Sequence, residues 1–66
     1  MNKEEKLKRF LEIRTELEKS QRDMAQFIGR SKSCIQKWEC GINEIPDLVI
    51  NYIEYKLNRM RHDENN

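Results

Sequence analysis

Lys32, Ser33, Gln36 and Lys37 share one side of any helix turning about 100° per residue, and Cys34, Ile35 and Trp38 fall on the other. Cys40 goes with the polar group, and Glu39 lies at its edge. The four polar side chains carry donors suited to base edges in a DNA major groove. Lys fits guanine O6 and N7, Gln fits adenine N6 and N7, and Ser can serve a base or a phosphate. A plain solvated helix face has the same composition, so the neighbouring residues must decide between the two readings.

Those neighbours, Gln21 to Gly41, read as two short helices joined by a tight turn. Ser20 with Asp23 three residues on predicts a helix start, because the hydroxyl takes an orphan amide and the carboxylate reaches back or meets the dipole. Met24, Phe27 and Ile28 then share a face, and Ala25 lets another helix cross closely. Gly29 supplies the left-handed stop, Ser31 can cap the next helix, and Gly41 can close it. Gln21 and Arg22 open a helix whose amide end can face a phosphate, and Arg30 sits in the turn. These three are the expected backbone-gripping residues.

The residues Ser20-Gln21, Ala25, Gly29, Ser31, Ile35 and Trp38-Glu39-Cys40-Gly41 resemble the Cro and phage-repressor type of helix-turn-helix, the Xre-like family. That resemblance implies an all-α fold, a small domain of four helices (or five) of the lambda-repressor-like type. It also implies that Arg14, six positions before Ser20-Gln21, pairs with Glu39 and ties the first and third helices. The run IGRSKSCIQKWECG followed by I-P-D-L-V is further similar to the short anti-CRISPR-associated repressors of phages and mobile elements. The chain departs from the family at Glu18-Lys19, where a glycine and an apolar residue are usual, and in having room for one helix after Gly41 where two are usual.

Length and charge set bounds. A chain of 66 residues is a small domain that buries little core, so a partner copy would help it. The net charge is +1, but its distribution is uneven: residues 20–37 carry +3 and residues 38–55 carry −4. A phosphate-facing side and a distal acidic side would give that pattern. With neither a long apolar run nor a signal segment, the expectation is a soluble, cytoplasmic protein making no use of a membrane.

Lys3 to Lys19 reads as an amphipathic helix with Leu7, Phe10, Leu11 and Leu17 along one side and Ile13 flanking, laid as a lid over the apolar face of the motif. Glu5 can pair with Arg9 along it, and Leu17 can supply the apolar position that Glu18-Lys19 lacks. After the linker Ile42 to Ile45, Pro46 suits a first helical position and Asp47 a first turn. The helix 46–60 has two apolar stripes. Val49, Ile53, Leu57 and Met60 form one, with Ile50 beyond them, and Val49, Ile53 and Leu57 are assigned to the core. Leu48, Tyr52 and Tyr55 are assigned to a dimer interface, since tyrosine tolerates burial with a wet hydroxyl; the reverse assignment is also open. Residues 1–60 thus form the domain and 61–66 a frayed polar tail.

Chemistry of other kinds finds no constellation. His62 stands in the polar tail without a nucleophile or metal ligand at meaningful spacing, so no catalytic residue, metal site or cofactor is expected. Cys34 and Cys40, six residues and so roughly 9 Å apart on one helix, are beyond disulfide reach. Cys34 is expected in the core and Cys40 as a free thiol near the helix end. The expected function is a sequence-specific double-stranded DNA-binding repressor, autoregulatory, acting as a homodimer on a palindromic operator, with repression carried by the family resemblance. The alternatives are an antitoxin-like DNA-binding protein whose second stripe meets a partner protein, and an RNA binder. The latter lacks an aromatic platform on the basic face.

Overall fold

Capping chemistry in the sequence sets the helix boundaries. In the computed structural model, which describes residues 1–64, the order is α1 (Lys3–Glu16), α2 (Gln21–Ile28), α3 (Lys32–Glu39) and α4 (Asp47–Glu64), with no strand among the described residues. Asn2 caps α1 by accepting from Glu5 N at 2.8 Å. Ser20 and Asp23 form a complete capping box on α2, and Ser31 accepts from Cys34 N at 3.2 Å to cap α3. Each satisfies an amide that has no partner inside its helix.

The helix ends are equally local. Gly29 takes φ 82° and lets Arg30 N donate to Ala25 O at 2.8 Å. Gly41 takes φ 79°, and there Ile42 N donates to Lys37 O while Gly41 N donates to Trp38 O, a paired closure of α3. The end of α1 uses the same device without glycine. Helix α1 stops at Glu16, short of the expected Lys19, and Glu18 takes φ 56° so that Lys19 N can donate to Arg14 O at 3.1 Å. A β-carbon in that left-handed conformation is unfavourable by roughly 1–2 kcal/mol, partly offset by the greater freedom a glycine loses on folding. Glu18→Gly is therefore expected to stabilise the domain by about 0.5–1 kcal/mol, read as a higher urea midpoint; an unchanged or lower midpoint would show that the strain is absorbed elsewhere.

The core is one cluster to which every helix contributes: Phe10 and Ile13 from α1, Met24 and Ala25 from α2, Ile35 and Trp38 from α3, then Ile45, Val49, Ile50, Ile53 and Leu57. Helix α2 packs on α3, and α1 packs on both α3 and α4. The rings of Phe10 and Trp38 meet edge to face, centroids 5.9 Å apart at 79°. Two corrections concern α1. Its inward line is Lys6, Phe10 and Ile13, so Ile13 is central, while Leu7 and Leu17 pack at the margin and Leu11 is half-buried on the outer side. The buried Lys6 spends its charge on the start of α4, its Nζ donating to Glu44 Oε2 at 2.7 Å and Asp47 Oδ1 at 3.1 Å. The hydrogen bond it donates to Glu44 leads in holding its pKa above the usual lysine value. The expected Glu5–Arg9 pair is replaced: Arg9 turns to Glu54 of α4 and to Glu12, and Glu5 to Asn2. Its hydrogen bond to Arg9 lowers the Glu54 carboxyl below the ordinary range.

Helix α4 keeps Val49, Ile53 and Leu57 in the core as expected and adds Ile50. Met60, on the same stripe, is 45 % exposed, because the core ends at Leu57 and the last turns of α4 project past it. The helix also runs through Arg61, which bonds Glu16 on α1, so part of the expected polar tail is helical; residues 65 and 66 of that tail lie outside the described residues. Within the described residues no helix is long and apolar enough to cross a membrane.

Candidate nucleic-acid interface

The donor face of α3 is held by its apolar back. Ile35 and Trp38 are buried, and Cys34 packs partly against the core. Lys32, Ser33, Gln36 and Lys37 are consequently all exposed on the opposite side. Because α3 is only eight residues long, capped at one end by Ser31 and closed at the other through Gly41, the four side chains stand on a short rigid rod.

A shallow groove of about 410 Å³ runs along this face, lined by Gln21, Ser33, Gln36, Lys37, Cys40 and Ile42. It brings the start of α2 beside three of the four donor residues; Lys32 stands at the first turn of α3, outside the groove lining. Arg22 at the first turn of α2 and Arg30 in the turn between the helices are both exposed. Among the described residues Lys37 is the one cation in the groove lining, and Arg30 lines a separate notch beside Leu48 and Tyr52.

Beneath the groove lies the joint that sets its shape. Arg14 reaches from α1 to Glu39, with Nη2 donating to Oε1 at 3.1 Å and Nε 2.8 Å from Oε2 as an ion pair. The Arg14–Glu39 pair that the sequence resemblance implied is therefore present. It has a third member: Gln21 Nε2 donates to Glu39 Oε1 at 2.9 Å. The Gln21 side chain, expected at a phosphate, is thus engaged in joining α2 to α3, and its backbone amide, one of those without an intrahelical partner, is the group left at the helix start. Arg14 also donates to Lys19 O at 3.2 Å, which fixes the α1–α2 loop. Glu39 is mostly enclosed, with its side chain 10 % exposed, so three helices share one carboxylate.

Sequence reasoning missed Gln21 as a partner of Glu39 and Ile42 as a member of the groove. Spacing along the chain carries no signal for the first. The second had one: Ile42 directly follows a helix-closing glycine and lies outside both apolar stripes.

Leu48, Tyr52 and Tyr55 of α4 are 80 %, 41 % and 55 % exposed. Tyr52 leans on Phe27 of α2, centroids 5.9 Å apart, and a notch of about 140 Å³ opens between Ile28, Arg30, Leu48, Val49 and Tyr52. Lys19, Lys56 and Arg59 lie over the rings of Phe27, Tyr52 and Tyr55. The Tyr55 hydroxyl, accepting from Arg59 at 3.2 Å, has its pKa lowered by that bond. Cys34 and Cys40 are both free thiols, and among the described residues no three His, Cys, Asp or Glu side chains are grouped to hold a metal ion. No family model, no curated protein and no solved structure matches the chain.

Proposed function

We propose that the chain is a helix-turn-helix protein of the Cro and phage-repressor type that binds double-stranded DNA sequence-specifically as a homodimer and represses transcription, its own promoter included. The observation that carries this reading is the donor face of α3: Lys32, Ser33, Gln36 and Lys37 exposed together on a short helix whose back is locked into the core. In this reading α3 enters the major groove, with Lys32 and Gln36 nearest the base edges. Arg22, Arg30 and the Gln21 amide at the start of α2 hold phosphates. Repression and autoregulation follow from the family resemblance alone.

The homodimer rests on Leu48, Tyr52 and Tyr55, an apolar and aromatic stripe left uncovered by the monomer. Two copies paired there would set their α3 helices about 34 Å apart, one turn of DNA, on a palindromic site. Selection from a pool of random duplexes is expected to enrich such a palindrome. Tyr52→Asp is expected to give a folded monomer by sedimentation, with much weaker binding to the enriched site. A pool left unenriched would refute the DNA reading, and an unchanged dimer would remove this stripe from the interface.

A further inference from the structure

Ile42 is the groove residue that hydrogen bonding to bases leaves unused. A large aliphatic side chain 68 % exposed adds little to the core, yet this one lines the same groove as Ser33, Gln36 and Lys37. Its backbone is fixed: Ile42 N donates to Lys37 O at 2.9 Å, and Gly41 makes the turn at φ 79°. The side chain is thus presented at a set place just beyond the end of α3. A closure of this kind often packs the residue at the Ile42 position against the stem of the one at the Lys37 position. With two thirds of its surface open, Ile42 has most of its apolar area left over. Cys40, also exposed and in the same groove, extends this apolar corner.

We infer that Ile42 is a specificity-determining residue that contacts the C5-methyl group of a thymine beside the bases addressed by Gln36 and Lys37. The inference rests on the proposed DNA-binding function and deepens it, by naming a base preference that donors alone would not create. The thymine methyl is the apolar group that base pairs display in the major groove, and apolar side chains are what meet it. A face that carried only Lys, Ser and Gln would read donors and acceptors; Ile42 adds sensitivity to the methyl.

The test uses the full chain and the duplex that it enriches from a random pool, remade with each thymine in turn replaced by deoxyuridine. That change removes the methyl and keeps every hydrogen-bonding group. At one thymine in each half-site the wild-type chain is expected to lose roughly fourfold in affinity, the worth of one buried methyl group. Ile42→Ala should bind the thymine duplex more weakly than wild type and be indifferent to the replacement at that position, while Ile42→Val should retain part of the discrimination. An enriched site at which no thymine replacement depends on residue 42 would overturn the contact while leaving the DNA reading intact. A pool from which nothing is enriched would overturn both.

Discussion

Trp38→Ala is expected to remove about 3–5 kcal/mol, a large share of the stability of the chain. Trp38 is 4 % exposed, stacks edge-to-face on Phe10, and belongs to the cluster that holds α3 against α1. Truncating a buried Trp or Phe costs about 3–5 kcal/mol. A domain of this size has only about 3–10 kcal/mol to lose, at roughly 0.05–0.15 kcal/mol per residue. Far-ultraviolet circular dichroism during urea titration would show a much lower midpoint than wild type, and a loss below about 1 kcal/mol would mean that the core closes over the gap far better than the usual truncation allows.

Glu39→Ala comes next in expected effect. It removes the one carboxylate shared by Arg14 and Gln21 and leaves the guanidinium facing a half-closed space without its counter-charge. Breaking a fully buried pair by removing one partner costs about 3–5 kcal/mol. The Arg14 side chain is 24 % exposed, so solvent offsets part of that, and about 2–4 kcal/mol is expected. The signature is coupling. Arg14→Met alone should also destabilise, and the double variant should lose much less than the two single losses combined. Strict additivity would show that the three side chains do not act as a unit.

The short-range features of this fold are written where they occur. Ser20 with Asp23, Ser31, Gly29 and Gly41 mark the ends of α2 and α3 because capping depends on residues within one turn, and all four act as their chemistry requires. The amphipathic back of α3, and Val49, Ile53 and Leu57 on α4, could likewise be read from helical period. What periodicity missed depends on how helices lie against one another. Lys6 is buried because Glu44 and Asp47, near the start of α4, come to meet it. Arg9 prefers Glu54 to Glu5 because α4 lies alongside α1. Ile13 displaces Leu11 from the core because the face of α1 that meets its neighbours is centred on Phe10 and Ile13. Glu18 hid the end of α1, since a glutamate carries no signal for a positive φ.

The groove shows the same division. Its donors followed from the wheel of α3. The Arg14–Glu39 tie came through family resemblance rather than spacing, and the part played by Gln21 needed the positions of two helices at once. Ile42 could have been singled out, being apolar just after a helix stop, but its use depends on what faces it.

The most direct measurement is the base preference of Gln36→Ala on the enriched duplex. Gln36 is exposed on α3 and takes no part in the core, so the variant should fold as the wild type does. If α3 reads the major groove, the variant should bind about 1–3 kcal/mol more weakly and lose its preference at one base pair of each half-site while keeping it elsewhere. Unchanged affinity with unchanged preference at every position would contradict the assignment of α3 as the reading element.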